Sequence, residues 1–450
     1  MDEKQQDKQD EKKPDKDDKR EARRKRRIRN QAIAYIVVAL FITAAAAGTV
    51  WGVRQLSDGR QAAGDRQEGS QEAVNNILAT EPELPTPSPD PTPEPIPEKT
   101  HEEQVDELIN ELISLMPLED KVAGLFMVTP ESITGVGTAV KAGDGTKDAL
   151  AQYAVGGIVY ASKNIKSEEQ FREMLENTQS YSRYRLFLAV EEEGGKNSPV
   201  ANAGIGTKAD SAKTVGQTGD SSAAYSAGVT LGTDLFGIGI NVNLAPVADP
   251  ASVEGSWLEE RSYGSDAQQT GAMASSFMQG LESQGVTSCV KFFPGVGGTK
   301  EDPGKGLAGT DRTEEQFRSE EFLAFQAVID AGAEMIMVSD VAAPALTGNN
   351  EPCVFSERVV TDILRGELGF DGIIISDALN NKAISDYNGA EEAAVMALKA
   401  GCDMLYMPED FEEAYNGILQ AVQDGTISEE RINDALLRIY RIKYADILGE

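Results

Sequence analysis

Residues Gly372 to Leu379 read GIIISDAL: a short apolar run that ends in a serine and an aspartate. A run of four to eight apolar residues is the length of a buried strand, and Asp377 falls where such a strand stops. Seven other runs of this kind occur in the chain. They are LFMV from Leu125, GIVY from Gly157, LFLAV from Leu186, NVNLAPV from Asn241, SCVKFF from Ser288, MIMVS from Met335 and MLYMP from Met404. Most are separated by amphipathic stretches of helical length, such as SEEQFREMLENTQSY and DAQQTGAMASSFMQGLESQG. Apolar strands alternating with crossover helices predict an α/β protein, a (β/α)8 TIM-type barrel. A doubly wound sheet fits less well, because no G-x-G-x-x-G turn follows the first strand.

Outward from these runs, residues 104–450 form the expected barrel domain. It opens on VDELINELISLM, where Val105, Leu108, Ile109, Leu112, Ile113 and Met116 recur at helical spacing. It closes on TISEERINDALLRIYRIKYADIL, whose Thr426-x-x-Glu429 pattern predicts a capping box. Residues 1–30 are dense in charge and read as a disordered cytoplasmic tail. Residues 31–53 include AIAYIVVALFITAAAAGTVWGV, which carries no charge and matches the roughly 20 residues needed to cross a bilayer. The basic cluster KREARRKRRIRN before it places the N-terminus in the cytoplasm and the barrel outside, as a single-pass protein of the cell membrane. A cleaved signal peptide is the rival reading, disfavoured by the long charged region and the full-length span. Residues 54–103 include ATEPELPTPSPDPTPEPIPEKT, whose prolines favour an extended spacer.

Composition narrows the function. A formal net charge of −32 disfavours nucleic acid, which needs Lys and Arg gathered on one face. The three cysteines, Cys289, Cys353 and Cys402, are too scattered for a disulfide framework or a C-x-x-C metal site. The single histidine, His101, lies in the Pro/Glu-rich tract, which leaves nothing for a Ser-His-Asp triad or a histidine-based zinc site.

In a barrel of this type the chemistry sits at the C-terminal ends of the strands. There the sequence places Glu191, Glu192 and Glu193 after strand three, Asp249 after four, Lys291 at the end of five, Asp340 after six and Asp377 after seven. Carboxylates with one or two cations suit a polyhydroxylated ligand. They also suit glycosidic cleavage, which needs one carboxylate facing the anomeric carbon and one proton donor near the leaving oxygen.

The segments AVEEEGGK, INVNLAPVADP, ERSYGSDA, VKFFPGVGGT, GFDGIIISDAL and INDALLRIYRIKY give the region from about Leu112 to Leu448 a resemblance to the N-terminal barrel domain of family-3 glycoside hydrolases. Within that family the β-N-acetylhexosaminidase branch is the most similar. The resemblance implies a retaining β-glycosidase that needs no metal or organic cofactor, with a carbohydrate such as an N-acetylglucosamine-containing glycan or cell-wall fragment as partner. It implies Asp377 as nucleophile and Glu191, Asp249, Arg261 and Lys291 as groups that grip the sugar. Glu191 stands where the family usually has Asp, and Lys196 where it usually has Arg.

The loop VKFFPGVGGTKEDPGKG departs from the family pattern. That pattern is roughly K-H-F-P-G-H-G-D-T followed by D-S-H, whose last Asp and His form an acid/base dyad. Here the histidines are replaced by Phe292, Val296 and Gly304, Pro303 replaces Ser, Gly298 replaces Asp, and Asp302 remains at the dyad's aspartate. A further family histidine after strand six appears as Asp340. Two expectations follow: hydrolysis of terminal β-linked N-acetylhexosamine impaired by the missing donor, or a catalytically inactive membrane-anchored glycan-binding pseudoenzyme. Asp302, Glu301 or Asp340 are the substitutes available as acid.

Overall fold

The computed structural model describes residues 99–448. The expected tail at 1–30, the apolar span at 31–53 and nearly all of the spacer at 54–103 lie outside the described residues. Among the described residues no helix is long and apolar enough to cross a membrane.

All eight apolar runs form strands: β1 (Phe126–Val128), β2 (Gly157–Val159), β3 (Phe187–Val190), β4 (Val242–Asn243), β5 (Thr287–Phe293), β6 (Met335–Val338), β7 (Ile373–Ser376) and β8 (Leu405–Tyr406). Each pairs in parallel with its neighbours in chain order, and β8 returns to β1 through Phe126↔Leu405 and Met127↔Tyr406. The seam between β7 and β8 is narrow. Met404 N donates to Ile374 O at 3.1 Å, and Ser376 N donates to Met404 O at 3.0 Å. Strand β4 is shorter than its apolar run because Pro246 has no N–H to give the ladder. Pairing resumes beyond it at Val247↔Lys291.

The first helix among the described residues, α1 (His101–Ser114), precedes the barrel, and a crossover or final helix follows every strand. These are α2 (Asp144–Gln152), α3 (Glu168–Tyr181), α4 (Ser221–Ile238), α5 (Ala267–Glu282), α6 (Glu321–Asp330), α7 (Arg358–Glu367, wound as a π-helix), α8 (Ala390–Ala400), α9 (Phe411–Gln423) and α10 (Glu429–Leu448). Helix α3 shows how the sequence specifies them. Ser167 and Gln170 form a capping box at its start, and Phe171, Met174, Leu175 and Thr178 form its buried stripe. Helices α4 and α5 cross so closely that a Cβ on Gly228 would lie 2.1 Å from Phe277 O and one on Gly280 2.2 Å from Tyr225 O.

Two boundaries differ from expectation. His101 to Glu103, read as the end of the spacer, form the first turn of α1, because Thr100 Oγ1 accepts from Glu103 N and Glu103 Oε2 accepts from Thr100 N. The last helix is capped by Ser428, whose Oγ accepts from Arg431 N at 3.1 Å. Thr426 instead donates its N–H to Asp424 Oδ1 in the preceding turn, so the expected Thr426 capping box does not form.

Buried Asp403 ties the seam to the outer helices. Its carboxylate pairs with Arg365 of α7 at 2.6 Å and with Arg438 and Arg431 of α10 at 3.1 and 3.5 Å, while Ile374 N donates to Oδ2 at 3.0 Å. Three arginines and a backbone amide offset the cost of a fully buried charge.

Candidate active site

The C-terminal ends of the strands surround a cavity of about 270 Å³. Glu191, Arg261, Lys291, Asp302 and Asp377 line it together with Trp257, Phe292, Asn380, Asn381 and Tyr406. Five of the six expected site residues are therefore brought together by the fold.

A charge network forms one wall. Arg261 donates from Nε to Glu193 Oε2 at 2.8 Å and from Nη2 to Glu193 Oε1 at 2.6 Å, a two-point grip, and reaches Glu191 Oε1 at 2.8 Å. Lys291 Nζ joins the same carboxylates, at 2.6 Å from Glu191 and 2.7 Å from Glu193. The guanidinium lies 5.1 Å from the centre of the Trp257 ring and 5.2 Å from that of Phe292, two rings that pack on each other at 5.7 Å. Burial opposes the charge on Glu193, but Lys291 and Arg261 outweigh it and hold the carboxyl well below the usual range. Glu191 carries the same two cations yet keeps 42 % of its side chain exposed, which leaves it open to a ligand.

Asp377 ends β7 beside this network. Its Oδ1 accepts from Ala378 N at 2.7 Å. Burial and the charge of Glu191 raise its carboxyl, the Ala378 amide, Lys291 and Arg261 lower it, and the net position is about 6. Tyr406, facing it from β8, is pushed well above its ordinary value by burial and by the charges of Glu191 and Asp377.

Asp249 does not line the cavity. It is fully buried beneath the loop that follows β5, with Oδ2 accepting from Phe292 N and Oδ1 from Val296 N, each at 3.0 Å. The expected sugar contact is thus, in this structure, a post that holds the loop. Burial and neighbouring Glu321 push its carboxyl up to about 8.

The three candidate acids differ in what they face. Asp302 lines the cavity, but Oδ1 accepts from Gly304 N at 3.0 Å and Oδ2 pairs with Lys305 at 3.2 Å, so it acts as the cap of the short turn Pro303–Lys305. Glu301 points to Gly309 N, outside the cavity. Asp340 is fully buried: Oδ2 accepts from Asn381 Nδ2 at 2.9 Å and Oδ1 has no hydrogen-bond partner among the described residues. Burial and the charge of Asp377 raise it well above the carboxylate range. A Cβ added at Gly304 meets Asp302 Oδ1 at 3.2 Å and Asn381 Oδ1 at 3.6 Å, so a side chain there would project from between them.

Trp257, Asn380, Asn381 and Tyr406 were not among the expected site residues, and Glu193 was expected only as one of three acids after strand three. Glu193 was detectable by alternation along the strand exit: Glu191 and Glu193 share the ion pairs, whereas Glu192 turns away to accept from Val200 N and Ala201 N at 2.8 and 3.3 Å. Burial lifts Glu192 to about 7.

With strand order and site in view, comparison with known proteins places the molecule. The model of the glycosyl hydrolase family 3 N-terminal domain matches residues 117–442. The chain belongs to glycosyl hydrolase family 3. A β-hexosaminidase of Chromobacterium violaceum is 30% identical over 271 residues, which cover 59% of this chain and 75% of that protein. One from Idiomarina loihiensis is 30% identical over 305 residues, 67% of this chain and 90% of the relative. Among solved structures, a family-3 β-N-acetylglucosaminidase from a Paenibacillus species superposes with a TM-score of 0.69 at 30% identity, covering 74% of this chain and 64% of that one. A β-N-acetylhexosaminidase from Beutenbergia cavernae gives 0.65 at 26% identity, covering 73% and 98%.

Proposed function

We propose that this family-3 chain hydrolyses terminal β-linked N-acetylhexosamine residues, or a related β-glycoside, by a retaining mechanism slowed by the lack of an acid/base histidine. The observation that carries the proposal is Asp377, which opens onto the cavity beside the Glu191–Arg261–Lys291 network. With Oδ1 held by Ala378 N–H, the other oxygen attacks the anomeric carbon as the bond to the leaving oxygen breaks. Water then cleaves the glycosyl–Asp377 ester. Glu191, the open member of the network, accepts hydrogen bonds from sugar hydroxyls, while Arg261 and Lys291 donate to them and stay neutralised by Glu193.

The leaving oxygen needs a proton unless it is a good leaving group. Positioned acid/base catalysis contributes about 10²- to 10⁴-fold, or roughly 3–5 kcal/mol of barrier. Asp302 accepts hydrogen bonds in this loop geometry and donates none, so the handicap falls on disaccharides and spares activated aryl glycosides.

A second reading has its own support: Asp302 is engaged as a cap and Asp340 does not line the cavity, which suits a silent glycan receptor. One experiment separates the two. The full chain is given an activated aryl N-acetyl-β-glucosaminide, and phenol release is compared with that of Asp377→Ala. Release that vanishes in the variant supports hydrolysis. No release, with sugar binding measured by calorimetry, supports the receptor. Action at the cell surface is proposed on the uncharged sequence at 31–53 alone, and protease protection of intact cells tests it.

A further inference from the structure

Asn381 closes the turn that Asp377 opens. Asp377 Oδ1 accepts from Ala378 N at 2.7 Å, and Asn381 N donates to Ala378 O at 2.8 Å. Asn381 then stands at the N-cap of the short helix Lys382–Ser385, where an asparagine ordinarily turns its side-chain oxygen onto the first helical amides. This one makes no such cap. Its Nδ2 donates instead to Asp340 Oδ2 at 2.9 Å, the one hydrogen bond of that fully buried carboxyl among the described residues. The helix forgoes a cap and a carboxyl is buried with a single partner, so neither group serves stability well.

What the contact does is orient an amide. With Nδ2 committed to Asp340, Oδ1 turns away from it. A Cβ built on Gly304 would lie 3.6 Å from Asn381 Oδ1, which places that oxygen on the loop side of the cavity, and residue 304 has no side chain to cover it. Among the described residues no group donates to it. The loop's carboxylates are engaged, Asp302 with Gly304 N and Lys305 and Glu301 with Gly309 N. The same side opens outward: a further cavity of about 660 Å³ shares Trp257 and Asp302 with the first and is otherwise lined by loop residues between 300 and 307.

We infer that Asn381 is a specificity-determining residue whose Oδ1 accepts from a hydroxyl of a second sugar ring lodged in this extension, and that Asp340 is its positioning residue. Calling that ring the leaving group rests on the proposed role of Asp377; the contact itself is a matter of binding. A neutral amide oxygen takes a neutral hydroxyl, so an uncharged sugar suffices. A single sugar held by the Glu191–Arg261–Lys291 network leaves Oδ1 without a donor.

Calorimetry on the full chain tests the inference, with N-acetylglucosamine and the sulfur-linked analogue of its β-disaccharide, which resists hydrolysis, as probes. The parent should bind the disaccharide analogue more tightly, and Asn381→Leu should cut the ratio of the two Kd values by about fivefold or more, the loss of one hydrogen bond. Asp340→Leu should cut it equally, the double variant should cut it no further, and Asp340→Asn, whose amide oxygen still accepts from Asn381, should keep the parent's ratio. If Asp340→Leu fails to fold, Asp340→Ala replaces it, and Asn381→Leu, at a half-buried position, decides the specificity claim. The inference is overturned if the parent binds both sugars alike or neither, if the two weaken by the same factor in Asn381→Leu, or if Asp340→Leu keeps the parent's ratio. Phenol release from the aryl glycoside by the parent is read separately: its absence sinks hydrolysis and leaves the contact to the calorimetry.

Discussion

The two sides of the cavity at the strand ends are built on different terms. On one, Glu191, Glu193, Arg261 and Lys291 lock into a network of contacts between 2.6 and 2.8 Å, backed by Trp257 and Phe292. On the other, the loop after β5 presents glycine, proline and Asp302, whose carboxylate is occupied by Gly304 N and Lys305. The first side is the one proposed to hold a sugar beside the proposed nucleophile, Asp377. On the second, Asp302 accepts from Gly304 N and pairs with Lys305. Binding, attack and protonation place separate demands on a glycosidase, and on the proposed reading the groups for the first two are present and the proton donor is missing.

The sharpest way to break this contrast is at the nucleophile. Asp377→Ala should lower kcat/KM for an activated aryl N-acetyl-β-glucosaminide by about 10³-fold or more, read by phenol release, because the variant loses the proposed nucleophile. Restoring the poor side is the next largest effect. Gly304→His should raise turnover of a disaccharide by about 10²-fold and of the activated aryl glycoside far less, since only the former needs the proton. An equal rise for both would show that the loop was limiting in some way other than protonation.

Lys291→Met attacks the rich side. It leaves Glu193 buried with one cation fewer, and breaking a buried pair costs about 3–5 kcal/mol. Lower urea midpoints and a raised KM are expected together. The pH profile follows from Asp377. As the proposed nucleophile it must be ionised, and its carboxyl is raised to about 6, so kcat/KM should fall below about pH 6 and be level above it until another group titrates. The smallest effect is expected from Asp340→Asn. Its carboxyl does not line the cavity, so the acid limb of the profile should hardly move. A large loss of disaccharide turnover in that variant would instead identify Asp340 as the donor.

The strands were legible because each is an uninterrupted apolar run flanked by polar turns, and all eight runs became strands. Asp377 was legible for the same reason: a residue directly after such a run lands at the mouth of the barrel. Asp249 was not, because sequence gives its place after β4 and says nothing of the backbone amides of Phe292 and Val296 that turn its carboxylate inward. Trp257 and Tyr406 escaped notice because an aromatic side chain reads the same in a core as in a sugar site. The end of the spacer was misplaced by three residues because proline and glutamate dominate its composition, while a single threonine, Thr100, sets where the helix begins.

The Asp403 clasp has a consequence for how the chain is made. Two of its three arginines, Arg431 and Arg438, follow it by 28 and 35 residues. At a synthesis rate of about 5–20 residues per second, they are added roughly 1–7 s after Asp403. During that interval the nascent ring has all its staves but lacks most of the hoop, and a cell meets a half-fastened barrel before it meets a finished one.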